Sequence, residues 1–193
     1  ATAILGQLFN ASDLAVVGNF AGEARTAAVA AVGANSSVVS LVVNLFTGVA
    51  LGANVVIAGA IGREDTDAAQ RAVHTALLFA VIGGFVIALL GEFMAEPLLR
   101  MMSVPDEVLP LALLYLRIYL IGMPVILLYN FEAAIFRSIG DTKVPLATLA
   151  ISGVINVILN LLFVIVLGMT VDGVAIATVI SNAISAVILF FSL

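Results

Sequence analysis

The chain has 193 residues, 63% of them hydrophobic and only 10% charged, with a net charge of −5. Soluble domains run about 45–50% apolar and about 25% charged, so a polytopic membrane protein is the class that fits. The lack of a basic tract argues against nucleic acid as a partner, the lack of cysteine excludes disulfides, thiol nucleophiles and Cys-ligated zinc, and the lone His74 cannot build a multi-histidine metal site.

Apolar runs of about 20 residues predict transmembrane helices. Six follow in chain order: residues 1–19, 27–60, 72–101, 108–136, 144–168 and 173–193. The second is long, with no charged residue between Arg25 and Arg63, and is expected to tilt or to extend beyond the bilayer. Gly122 and Pro124 predict a kink in the fourth. Short polar connectors separate the runs, at 18–26, 62–71, 102–110, 137–145 and 168–173. The runs are too long and too uniformly apolar for the strands of a β-barrel. The chain opens and closes inside apolar runs and lacks an initiator Met, so a fragment truncated at both ends is expected.

Lys and Arg in short loops set orientation. The second and fourth connectors carry Arg63, Arg71, Arg137 and Lys143, whereas the others carry Arg25 and, at an edge, Arg100. The second and fourth are therefore placed in the cytoplasm, and the first span runs outward.

The polar residues inside the spans carry the functional signal. A mid-membrane Asp costs about 2.5–3.5 kcal/mol on insertion scales, and such residues face a bundle interior or a wet cavity. Asp13, in QLFNASDLAVVGNF, is either such a residue or an interfacial carboxylate near a helix end. Asn156 and Asn160, in NVILN, are four apart and share one helix face. They are either a pair bonded between helices or, with Asp13, oxygen ligands for a small hard cation. Thr178 and Asn182 repeat the spacing, though a Thr hydroxyl also bonds its own helix backbone. Glu132 is expected to pair with Arg137 or to reach the interface. Arg117 is expected to snorkel outward, and His74 to sit at the membrane edge. Neither a nucleophile–base pairing nor a phosphate-binding loop stands out, so no enzymatic activity is expected.

The stretch FNASDLAVVGNFAGEARTAAVAAVG resembles the first-to-second helix region of the MATE (multidrug and toxic compound extrusion) transporters. FTGVALGANVVIAGAIGREDTDAAQRAV resembles their second-to-third connection, FRSIGDTKVPLATLAISGVINVILNLLFV their fourth-to-fifth junction, and GVAIATVISNAIS their sixth helix. The resemblance implies an all-α membrane protein, a six-transmembrane-helix bundle forming the N-terminal lobe of a 12-helix transporter, with the C-terminal lobe of the same polypeptide absent. It further implies a multi-pass protein of the cytoplasmic membrane that exports drugs and other amphiphilic organic compounds in exchange for Na⁺ or H⁺, without a cofactor. The family's N-lobe cation site falls on Asp13, Asn156, Asn160 and Thr178, the same residues picked by position, and Na⁺ is a possible ligand there. One branch of the family has Asp where Asn160 stands, which leaves Asp13 as the single carboxylate and makes H⁺ coupling a serious option. Gln7, Phe9, Asn130 and Gly153 are expected to line a substrate pocket. The alternatives are a flippase for lipids or lipid-linked oligosaccharides from the same broad superfamily, and a non-transporting helical scaffold. Distances between the four polar residues separate the scaffold from the transporter.

Overall fold

The computed structural model describes residues 2–20, 22 and 25–193; within the first helix it describes the side chains of residues 8 and 11–20. The described residues form seven α-helices: α1 (Thr2–Phe20), α2 (Arg25–Gly62), α3 (Thr66–Met101), α4 (Leu109–Ile121), α5 (Met123–Ser138), α6 (Lys143–Leu161), which continues as a π-helical turn over Leu162–Val166, and α7 (Val171–Ser192). Among the described residues, α2, α3, α6 with its π-turn, and α7 are each long and apolar enough to cross a membrane. The pair α4 and α5, bent by 53°, makes a fifth span if the two are one. The expectation of six is met only this far, because α1, the first expected span, is a 19-residue helix outside that set.

The predicted kink falls where Gly122 separates α4 from α5. Glycine fits there: a Cβ on Gly122 would press on the methyls of Val179 on α7. On the other side of the bend, a Cβ on Gly84 of α3 would run into the backbone of Pro124. The bend is thus gripped between α3 and α7. Beyond it, α5 runs through the middle of the bundle, with 11 of its 16 residues buried. Phe131 and Leu127 pack with Ile57 of α2 and Ala76 and Ala80 of α3. Tyr129, Ala133 and Phe136 pack with Leu149 of α6 and Ala186 and Leu189 of α7. In contrast, α2 and α3 turn large apolar side chains outward, among them Leu41, Val55, Leu78 and Phe93, as expected of a face that meets lipid tails.

Two turns explain the connector motifs. In RSIGDTKVP, Gly140 takes φ 82°, the left-handed conformation that ends many helices. Asp141 Oδ1 then accepts from the backbone N–H groups of Lys143 (2.9 Å) and Val144 (3.2 Å), starting α6. In GREDTDAAQR only residues 63–65 leave the helices. Asp65 caps α3 by accepting from Ala68 N–H at 2.9 Å, so α3 begins six residues before the expected position 72. Hydropathy marks where a helix enters lipid, not where it starts.

Candidate functional site

Asp13, Asn156, Asn160 and Thr178 come together from α1, α6 and α7, and each is at most 2% exposed. Asn160 Nδ2 donates to Asp13 Oδ1 at 2.7 Å and to Asn156 Oδ1 at 3.1 Å. Thr178 Oγ1 stands 3.0 Å from Asp13 Oδ2 and 2.9 Å from the carbonyl oxygen of Val174, and its one proton can serve either. Asn156 Nδ2 donates to Thr178 Oγ1 at 3.2 Å. Spacing alone left Asp13 between an interfacial and an interior position, and the fold puts it inside.

Both Asp13 oxygens accept from neutral donors, and among the described residues the only ion pairs are Arg100 with Glu96 and Asp106, and Arg117 with Glu92. Asn160 Oδ1 is buried with no hydrogen-bond partner. Four oxygens are joined in this network, two from Asp13, the amide oxygen of Asn156 and the Thr178 hydroxyl, while Asn160 turns its amide nitrogen toward them. One carboxylate with two neutral oxygens, and an amide able to turn a third toward it, is a donor set for a small hard monovalent cation or a proton. Among the described residues no three His, Cys, Asp or Glu cluster.

Beside this network, a cavity of about 410 Å³ opens between α1 and α6. Leu8 and Ser12 line it from α1, and Leu149, Gly153, Asn156 and Val157 from α6. Ser12 and Asn156 are the polar residues of its wall among the described residues, and that wall suits an apolar guest. Asn156 belongs both to this wall and to the Asp13 network. Of the expected pocket residues, Gly153 is in the wall. Asn130 is not among its lining residues: it sits on α5, and its amide donates to the carbonyl of Ile126 at 2.7 Å. Gln7 and Phe9 lie outside the described side chains.

Three expectations for charged residues are tested here. His74 is exposed on α3, so it is not a packing residue of the bundle interior. Arg117 does not simply snorkel: its Nε lies 3.5 Å from Glu92 Oε2 on α3. Glu132 neither pairs with Arg137 nor reaches the surface. It is fully buried, and both carboxyl oxygens are unpartnered. Five positions along a helix turn a side chain about 140° away, so Arg137 points elsewhere. Sequence reading passed over Ser152 Oγ, which donates to the carbonyl of Ser181 at 2.9 Å and ties α6 to α7. The stripe Ser152, Asn156, Asn160, spaced by four, carried that signal.

A family model, MatE, matches residues 2–162. The chain belongs to the MatE family. It is 34% identical over 161 residues to the probable multidrug resistance protein YoeA of Bacillus subtilis, covering 80% of this chain and 34% of that protein. It is 28% identical over 166 residues to a FAD transporter of Shewanella oneidensis, covering 84% of this chain and 37% of the relative. A MATE crystal structure in the bent conformation superimposes with a TM-score of 0.90 at 27% identity, over 97% of this chain and 41% of the other. The chain thus spans roughly a third of the curated relatives' length. Its fold is that of MATE transporters, which makes it a multi-pass membrane protein of a transporter family.

Proposed function

We propose that this chain is the N-terminal, six-span lobe of a 12-helix antiporter that exports amphiphilic organic compounds across the cytoplasmic membrane in exchange for Na⁺ or H⁺. The observation that carries the reading is Asn156, whose side chain bonds within the buried Asp13 network and which is also one of the residues lining the apolar cavity. An ionised carboxylate buried without a counter-charge is costly. Asp13 has no cationic partner among the described residues, so an arriving cation neutralises it. Na⁺ takes the oxygens of Asp13, Asn156 and Thr178, with the Asn160 amide turning its oxygen inward, and H⁺ takes Asp13 alone. Either event redistributes the bonds of Asn160, Asn156 and Thr178, and with them the wall of the cavity. Coupling then requires that the ion and the exported compound favour different arrangements of α1 against α6.

Among the described residues, the cavity's lining has no cationic side chain. That favours lipophilic or cationic cargo over a pyrophosphate-linked lipid, and over an anionic dinucleotide such as FAD. Arg117, the one cation placed inside a span by sequence, is engaged with Glu92. The test is efflux of a lipophilic cationic dye by the intact transporter in membrane vesicles, with and without Na⁺, at two pH values. Export is expected to depend on one of the two ions and to be lost in Asp13→Asn. Export indifferent to both ions, or undiminished in the variant, overturns the reading.

A further inference from the structure

Glu132 plays no part in the site above, lies on a different helix, and is fully buried. Its two oxygens are not the only orphans at its level. The hydroxyl of Tyr129, the hydroxyl of Ser185 on α7 and the side-chain carbonyl of Asn54 on α2 are likewise buried without partners. At about 1.5 Å of rise per residue, these four residues lie about 9–14 Å from the helix ends at Gly62, Ser138 and Ser192. Those ends lie on the side that Lys and Arg assign to the cytoplasm. The Asp13 network sits in the opposite half, about 10 Å from the far ends of α1 and α7. Unsatisfied buried polar groups are rare in folded proteins, so four at one level call for an account.

No charge answers Glu132. On α5 itself Arg137 faces away, and Tyr129 is neutral. The only charged residue of α2 is Arg25, at its far end, and the only one of α7 is Asp172, also at the far end. On α3 the charged groups of this half, Asp67, Arg71 and His74, are exposed, whereas the face packed on α5 carries Ala76 and Ala80. Of the elements less closely packed on α5, α4 carries Arg117, held by Glu92 in the other half, and α6 carries an exposed Lys143 at its start. Arg63, Glu64 and Asp65 in the nearby turn are exposed. A dehydrated Na⁺ needs several oxygens around it, and among the described residues no second carboxylate or histidine pair clusters with Glu132. A proton needs one lone pair.

We infer that Glu132 is a second cation site of this lobe, holding one proton in this conformation and exchanging it with the 62–66 side when that half of the bundle opens. It is separate from Asp13 in depth and in the helix that carries it.

Infrared difference spectroscopy on the intact transporter in lipid reads the proton directly. Asp13→Asn is expected to retain a protonated-carboxyl C=O band that disappears in Asp13→Asn with Glu132→Gln. Identical spectra for those two proteins overturn the inference. So does a carboxylate band that shifts on adding Na⁺ and is lost with Glu132→Gln, because Na⁺ and not H⁺ would then fill the site. A neutral carboxyl without bonds tolerates Glu132→Met, so Glu132→Gln and Glu132→Met are both expected to insert and to melt like the parent. Failure of both to fold means that an ionic contact holds Glu132, which also overturns it. The band does not depend on what is exported or on whether Asp13 couples, so its failure is distinguishable from failure of the antiporter reading.

Discussion

Replacing Asp13 by asparagine separates charge from architecture. Asp13 Oδ1 accepts from Asn160 at 2.7 Å, and Oδ2 meets Thr178 Oγ1 at 3.0 Å. In Asp13→Asn the amide oxygen keeps the bond from Asn160, and the amide nitrogen turns to Thr178. The Thr178 hydroxyl gives its proton to the Val174 carbonyl, 2.9 Å away, and accepts from the new amide while still accepting from Asn156. Every polar atom that is paired in the parent stays paired, so the change in stability is expected to stay within about 1 kcal/mol. Asp13→Ala is different. It strands a buried Asn160 N–H, at about 1–3 kcal/mol, and removes both side-chain bonds by which α1 holds α6 and α7. Melting of the purified transporter in detergent, followed by size-exclusion fluorescence, should rank parent and Asp13→Asn together with Asp13→Ala well below. Export should be lost in both variants. If Asp13→Asn melts as low as Asp13→Ala, the negative charge itself holds the helices, and the accounting by neutral hydrogen bonds is wrong.

Two further outcomes follow from the same geometry. Asn160→Asp places a second carboxylate where an amide now donates to Asp13 at 2.7 Å. Repulsion is expected to make the variant less stable than the parent without Na⁺, and Na⁺ to raise its melting temperature more than the parent's, by up to about 2.7 kcal/mol of binding stabilisation at a hundredfold excess over Kd. An unchanged Na⁺ response would show that the carboxylates at 13 and 160 do not meet on one ion. Gly84→Ala drives a methyl into the backbone at Pro124, which cannot rotate aside, and is expected to cost about 1–3 kcal/mol in the same melting assay. Gly122→Ala meets only the Val179 side chain and should cost less.

The spans were legible because twenty apolar residues have few other homes, and the Asn pair because a four-residue spacing fixes a helix face whatever surrounds it. The convergence on Asp13 depended on assembling α1, α6 and α7 from positions up to 165 residues apart, which no local pattern encodes. The family resemblance supplied it before the coordinates did. Arg117 and Glu92 pair across two helices, so a reading confined to the YLRIY segment finds only a long cation near a membrane edge. Glu132 misled for the opposite reason. A nearby Arg137 looked like a partner in the linear sequence, but helical geometry turned the two apart.

Under the antiport proposed above, the double membership of Asn156, in the Asp13 network and in the cavity wall, bears on how such a lobe can evolve. Val157 and Gly153 line the same cavity without bonding to the network. Lineages that vary Val157 or Gly153 are free to broaden the range of compounds accepted while keeping their energy source. A lineage that varies Asn156 changes diet and fuel at once. Selection under a new toxin should therefore recruit the flanking positions first and leave Asn156 until a change of ion is also tolerable.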